Sequence, residues 1–381
     1  MEGTSRSRPT DAAREVEVSV VVPVLNEEAH IRESASAMLA QAFDGEIEFL
    51  FVDGRSEDRT RAILEELAER DGRIRILDNP RSQTPSALNI GVRNARGEFI
   101  VRMDAHAYYR SDYVSSAIER LRRGDVDCVC GPQIPYGTGK WSRRVALALG
   151  SRLGTAGSPK WPSETDGGHA GSAPGERELG PDSGVFGGAW RRSTLEAHGG
   201  WNEGWPLNQD CELLARISAG GGRTVLLPEL GARYVPRDSL RGLARQYWRY
   251  GQYREKTARA HPETMRPAHL LTPGLALTVA ASVLSPRPLR RTARAALLLY
   301  AVTIVAVSAA RCEASSRRGE SAGSRSSAGW REVLPLPLVF AVMHLTWGFG
   351  YLLGCVRFGP PVAALMRALS AGLRSASRPQ T

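Results

Sequence analysis

Between Val16 and about Cys130 the chain alternates short β-branched runs with longer amphipathic stretches, and this alternation constrains its fold more than any other feature. Strands separated by helix-length segments are joined by crossovers, so repeated βαβ units in a largely parallel sheet are expected. Val18 to Val24 reads as the first strand, followed by helical signal from Glu27 to about Gln41. Glu46 to Val52 makes a second apolar run that ends at Asp53. In SEDRTRAILEELAERDG, Ser56 is a plausible N-cap, acids occupy the first turn and Gly72 closes the helix. Arg73 to Leu77 gives a third strand; Thr84 and Pro85 then open a helix that Gly97 ends. Glu98 to Met103 is the fourth strand, with Asp104 just after it. Ligands bind beyond the carboxyl ends of parallel strands, so Asp53 and Asp104 fall where a site is expected.

The stretch from about Gly154 to Gly184, rich in Gly, Ser, Pro and His, reads as a long mobile loop. Further short strands are expected at Val185 to Ala189, Thr224 to Leu227 and Ala232 to Val235, with a helix around Cys211 to Ala219. The five cysteines form no CxxC pair and have no histidines at zinc-finger spacing. Neither a disulfide framework nor a structural zinc is indicated, and a reducing compartment fits. Cys128 and Cys130 alternate along a strand as small packing residues.

After His261 three uncharged apolar runs appear: Leu270 to Leu284, interrupted by Pro273; Ala295 to Ala310; and Val333 to Val356. A bilayer core needs roughly 20 apolar helical residues, so the third run reads as a span, the second is a little short and the first is the weakest. If all three crossed, the loop with Arg287, Arg290, Arg291 and Arg294 would lie outside, against the usual positive-inside bias. Two spans plus an interfacial segment remove that conflict, although the stretch then left outside, Arg311 to Arg331, carries five arginines itself. The first fifteen residues lack the apolar core of a secretory signal and are expected to be a disordered leader. The expected layout is therefore a leader at 1–15, an α/β domain at 16–237, an amphipathic connector at 238–261 and membrane-anchoring helices at 262–381. The formal net charge of +10 is spread over scattered arginines, which argues against nucleic acid as partner and suits membrane lipids or phosphate-bearing substrates.

Five motifs follow one another in a fixed order. VVPVLNEE opens the first strand into a helix, VDGRSEDRT puts Asp53 at a strand tip, and VRMDAH gives Asp104 and His106. NQDCEL then offers Asp210, and RQYWRY presents Gln246, Arg249 and Tyr250. In this order the residues resemble family-2 glycosyltransferases of the GT-A fold, particularly enzymes that build bacterial exopolysaccharide repeat units on a lipid carrier, such as the succinoglycan glucosyltransferases.

The resemblance covers about Val16 to Tyr250 and implies a role for each matching residue. Pro23, Asn26 and Glu28 match the first-strand loop around the nucleoside, Asp53 the acid that bonds the base, and Asn89 a polar position near the donor. Asp104 is the first acid of a D-x-D in which His106 replaces the second, and these two would hold Mg2+ or Mn2+. Asp210 matches the catalytic base, although Gln209 replaces the acid that usually precedes it. Gln246, Arg249 and Tyr250 match a Q-x-x-R-W pattern with tyrosine for tryptophan. A nucleotide-sugar donor, UDP by resemblance only, and a polyprenyl-diphosphate-linked saccharide acceptor are implied. So are multi-pass attachment to the cell membrane and a cytoplasmic catalytic domain.

Elementary chemistry supports these roles. A diphosphate leaving group gathers negative charge as its bond breaks, so a metal at Asp104 and His106 would stabilise the transition state. One carboxylate suffices to deprotonate an acceptor hydroxyl in a single displacement, which inverts the anomeric carbon. Plainer readings stand beside them. Asp53 could cap the helix near Ser56, Asp210 could be an exposed acid in a first turn, and RQYWRYGQYR could lie on lipid headgroups.

Overall fold

The computed structural model describes residues 15–161, 175–321 and 334–376; residues 1–14 of the leader, the middle of the Gly/Ser/Pro-rich loop and the second part of the other Ser/Gly-rich stretch lie outside the described residues. The strands are β1 (Val18–Val24), β2 (Ile47–Asp53), β3 (Ile74–Asp78), β4 (Phe99–Arg102), β5 (Ala107–Tyr108), β6 (Cys128–Cys130), β7 (Gln133–Pro135), β8 (Arg177–Glu178), β9 (Ala189–Arg191), β10 (Thr224–Leu226) and β11 (Ala232–Tyr234). Helices α1 (Ile31–Leu39), α2 (Thr60–Ala68), α3 (Thr84–Asn94) and α4 (Tyr113–Arg122) belong to the first half. They are followed by α5 (Lys140–Leu149), α6 (Arg152–Thr155), α7 (Arg192–Ala197), α8 (Gln209–Ala219) and α9 (Leu240–Ala260). The tail holds α10 (Leu271–Leu284), α11 (Arg287–Ser321), α12 (Leu336–Phe358) and α13 (Val362–Ala376).

The main sheet has the order β3-β2-β1-β4-β9-β6-β10-β8. β1 pairs parallel with both β2 and β4, and β2 parallel with β3, so the chain reverses its winding beside β1. β9 runs antiparallel between β4 and β6. Because both faces are covered, β1 and β2 are apolar almost throughout. Val20, Val22, Phe49 and Phe51 pack with α1, α2 and α4 on one face, while Val21, Leu50 and Ile100 pack with α3 and α8 on the other. Burying each phenylalanine contributes roughly 1.5–3 kcal/mol. The polar exception, Glu48, accepts from Ser19 Oγ at 2.7 Å, Arg96 N at 2.7 Å and Arg75 Nη1 at 2.8 Å. Burial opposes its charge, yet these donors hold the carboxyl below its ordinary value.

Three boundaries differ from the sequence expectation. Helix α2 begins at Thr60 rather than near Ser56, because residues 56–59 form a turn tied to the loop after β1. The strand expected at Val185 begins only at Ala189, since Gly184, Gly187 and Gly188 take φ values of 67°, 60° and 109°. β5, β11 and β7 form a separate three-stranded sheet, of which only β11 is legible as a strand.

Among the described residues, three helical segments are long and apolar enough to cross a membrane: Pro267–Leu284, Arg287–Arg311 and Leu336–Phe358. The first qualifies because Pro273 sits in the opening turn of α10, where a missing N–H is tolerated, so it does not interrupt the helix as the sequence suggested. Helix α11 exposes Leu298, Leu299, Val302 and Val305. Contiguous apolar surface of this kind marks contact with lipid or protein. Helix α12 instead sets Val339, Phe340 and Met343 against Val145, Ala148 and Leu149 of α5.

Candidate active site

The loops beyond the carboxyl ends of β1 to β4 open onto one cavity of about 1440 Å³. Pro23 and Glu27 from the first loop, Gly54 from the second, Ser82 from the third and Asp104 with His106 from the fourth all line it. Asp210 of α8 enters from the opposite side, and Gln246, Arg249 and Tyr250 of α9 roof it.

Arg102, the last residue of β4, holds the centre together. Its Nε donates to Asp104 Oδ1 at 2.9 Å and its Nη1 to Asp210 Oδ1. Asp210 sits in the first turn of α8, behind an Asn208 cap with φ 60°, and it is largely shielded rather than exposed. Trp201 Nε1 donates to its Oδ1 at 3.3 Å and Gln209 Nε2 to its Oδ2 at 3.4 Å. Burial pushes the Asp210 carboxyl above its ordinary value against the pull of Arg102, with the Asp104 charge adding to the rise. The backbone N–H of Asp104 donates to Tyr109 Oη at 2.9 Å.

His106 Nδ1 meets Glu27 Oε1 at 2.9 Å, and its ring lies 5.8 Å from that of Tyr234. Burial lowers the imidazole's pKa, but Glu27 and then Asp104 more than offset this, leaving it above the ordinary value. A carboxylate facing Nδ1 orients the ring and turns Nε2 away from Glu27, the arrangement that ligating histidines share. Among the described residues no three of His, Cys, Asp and Glu gather as a closed metal cage. Asp104 and His106 both line the cavity and bring one carboxylate and one imidazole to it, donor types that divalent cations accept. On α9, Gln246 Nε2 donates to Tyr250 Oη at 2.9 Å and to Tyr234 Oη at 3.4 Å.

Four expected residues are not in the cavity wall. Asn26 and Glu28 instead zip the first two loops together: Asn26 Oδ1 accepts from Glu57 N at 2.8 Å and Glu28 Oε2 from Arg59 N at 2.8 Å. Asn89 fastens the turn after α7, accepting from Trp201 N at 2.9 Å and donating to Trp201 O at 2.8 Å. Asp53 is only 4% exposed, and its Oδ1 accepts from Ser56 Oγ at 2.6 Å. Asp53 therefore shapes the turn beside wall residue Gly54, close to the capping role open to it on sequence grounds.

Residues 19–179 match the family model described as glycosyl transferase family 2. Over 337 residues, 87% of this chain and 93% of the relative, the sequence is 30% identical to succinoglycan biosynthesis protein ExoA of Rhizobium meliloti (strain 1021). The chain belongs to glycosyl transferase family 2. A second relative, the undecaprenyl-phosphate 4-deoxy-4-formamido-L-arabinose transferase of Pseudomonas aeruginosa (strain LESB58), is 31% identical over 151 residues, 36% of this chain and 43% of that protein. The solved mannosyltransferase PcManGT from Pyrobaculum calidifontis, in complex with GDP-Man and Mn2+, aligns over 95% of this chain and 90% of its own at 21% identity and a TM-score of 0.48. The mostly parallel sheet is the GT-A fold of family 2, with the apolar helices appended. The segment that matches the family 2 model includes Asp53, Asp104 and His106, whereas Asp210 and α9 lie beyond it.

Several wall residues escaped the sequence reading. Arg102 and Glu27 sit one or two places from motif residues, and only the phase of the chain at a strand end decides which of them faces the cavity. Lys160 and Arg266 also line it and belong to no motif, and Arg254 lines it as the last residue of the RQYWRYGQYR stretch.

Proposed function

We propose that this family-2 enzyme is an inverting hexosyltransferase that moves a sugar from a UDP-sugar to a polyprenyl-diphosphate-linked saccharide in extracellular polysaccharide assembly. It would work at the cytoplasmic face of the cell membrane, attached through its apolar helices. The observation that carries this reading is the pair Asp104 and Asp210, bridged by one buried arginine at the edge of a cavity of nucleotide-sugar size. The ExoA likeness supports the polysaccharide context.

In this reading the loops after β1 to β3 receive the nucleoside, and Asn26, Glu28 and Asp53 keep those loops in shape. Asp104 and His106 would hold the divalent cation, which when bound offsets charge on the leaving diphosphate. Arg249 would add positive charge from the roof. Asp210, pushed up by burial, accepts the proton of the acceptor hydroxyl as that oxygen bonds to the anomeric carbon. The likeness to the undecaprenyl-phosphate transferase favours a second reading, direct transfer to a lipid phosphate. Mass analysis of the product separates the two, because one reading extends a saccharide and the other makes a monosaccharide phosphodiester.

Calorimetry with UDP and manganese tests the donor side. The parent chain is expected to bind UDP more tightly with manganese than without, and Asp104→Ala to lose that difference. Equal binding with and without metal in the parent would rule out the metal assignment.

A further inference from the structure

The cavity does not end at the sheet. Leu271, Leu275 and Thr278 of α10, Tyr300 of α11 and Met343 and Trp347 of α12 line its far part, so the site runs on into the apolar tail. Three cations, Lys160, Arg254 and Arg266, line the same cavity. Arg254 Nη1 donates to the sulfur of Cys211, the neighbour of Asp210, at 3.2 Å. Arg266 Nη2 lies 3.3 Å from His269 Nε2, and the His269 ring lies 6.2 Å from that of Trp347. Lys160 shares the wall, with Asp210, Cys211 and Arg254 among the groups that act on its charge.

Among the described residues Lys160 and Arg254 have no carboxylate partner, and Arg266 has one long ion pair, to Asp182 at 3.8 Å. The hydrogen bonds of Arg254 go to a thiol and, at 3.4 Å, to the Thr264 carbonyl. Arg266 Nη1 reaches the Gly157 carbonyl at 3.3 Å, while its buried Nε has no hydrogen-bond partner and lies 3.8 Å from Asp182 Oδ2. Among the described residues no ion pair joins Lys160 or Arg254 to a carboxylate; the Lys160 ammonium stands 5.8 Å from the Trp161 ring centroid. Burial, with Arg254 close by, holds Arg266 below the ordinary arginine value, and burial does the same to Lys160. Half-buried like charges of this kind cost stability until an anion joins them, and a phosphate meets arginine with strong charge-assisted bonds.

We propose that Lys160, Arg254 and Arg266 seat the phosphate or diphosphate of the lipid-linked acceptor, with its hydrocarbon chain lying along the α10 and α12 wall. This rests on the acceptor class proposed above and assigns it a site. The donor end of the cavity is defined by the strand-end loops and Asp104, so the two phosphorylated substrates would enter from opposite ends and meet at Asp210. A water-soluble phosphate would leave Leu271, Leu275 and Trp347 without a function, whereas an isoprenoid chain fills such a wall.

The test uses the full chain in nanodiscs of neutral phosphatidylcholine, with tryptophan fluorescence as the signal, since Trp161 and Trp347 line the cavity. The probes are a long-chain polyprenyl monophosphate, its diphosphate, the free polyprenol and inorganic diphosphate. The phosphorylated lipids should bind at least about tenfold tighter than the polyprenol and the inorganic ion. Arg254→Gln and Arg266→Gln should each weaken lipid binding by about tenfold, the lysine replacements by less, and UDP affinity should stay within about twofold. Equal binding of polyprenol and polyprenyl phosphate by the parent would overturn the seat without recourse to any variant. Displacement of the probe by an equal fraction of phosphatidylglycerol would also overturn it, as a general headgroup site. So would loss of UDP rather than lipid binding in Arg254→Gln, which would make the cations part of the donor site. Lipid binding that persists in a parent chain unable to transfer sugar would sink the proposed function and leave the seat standing.

Discussion

Arg102 lies in a strand between apolar neighbours, 6% exposed, with Asp104 and Asp210 on its guanidinium. Removing it leaves two shielded carboxylates without their cation, a change that typically costs about 3–5 kcal/mol. Arg102→Met is therefore expected to melt well below the parent chain in thermal unfolding, and an unchanged melting temperature would show that the bridge is not structural. Glu255 of α9 is the reverse case: it is 0% exposed, and neither carboxylate oxygen has a hydrogen-bond partner among the described residues. Burial lifts its carboxyl from 4.5 to about 7, with Arg259 opposing. A folded value above the unfolded one gives stability that is complete below pH 4.5 and lost as pH rises through about 7. Glu255→Gln should accordingly match the parent near the acid end and exceed it in melting temperature at pH 8; parallel curves for the two proteins would contradict this. Asp104 and Asp210 were legible because each stands at the end or start of an element in a recognisable order. Arg102 and Glu27 were not, since nothing in a one-dimensional pattern tells which neighbour of a motif residue turns inward.

At the scale of elements, α9 and α12 run in backbone contact. A methyl group on Gly251 would stand 2.1 Å from Trp347 O, and one on Gly350 2.1 Å from Trp248 O; Gly354 faces Gln252 O at 3.0 Å. Small residues at such spacing let two helices approach closely, which fixes the roof of the cavity to the apolar tail. Gly350→Leu must push the helices apart, at a cost of about 1–3 kcal/mol or more. It should lower the melting temperature and disturb the positions of Gln246 and Tyr250, while Gly72→Ala, with no atom within 4 Å, should not. Equal melting of both variants would remove the contact from the account. The repeated βαβ units were readable because their runs are long and periodic. The start of α2 and of β9 were misjudged where an aspartate-centred turn and left-handed glycines override propensity. Hydropathy revealed how apolar α12 is but not that α5 and α9 cover one side of it.

For the molecule as a whole, the consequence is a single cavity with two differently built ends. One is formed by the strand-end loops of the GT-A sheet, the other by the helices of the apolar tail, and Asp210 lies on the wall they share. The net charge of +10, carried largely by arginines, suits an enzyme whose substrates are phosphate esters and whose surroundings are anionic lipid. The order of motifs was enough to foresee that Pro23, Asp104, His106, Asp210, Gln246, Arg249 and Tyr250 line one cavity. The end of the cavity beside the tail was hidden because it is assembled from α9, the segment before α10 and the apolar helices, whose mutual packing leaves no sequence period. The account stands on Asp210 as the group that takes the acceptor's proton. The direct measurement is the initial rate of sugar transfer to lipid-linked saccharide by Asp210→Asn in nanodiscs, followed by mass spectrometry. The expected result is a fall of about 10²–10⁴ in rate with UDP affinity preserved; transfer at the parent's rate would contradict it.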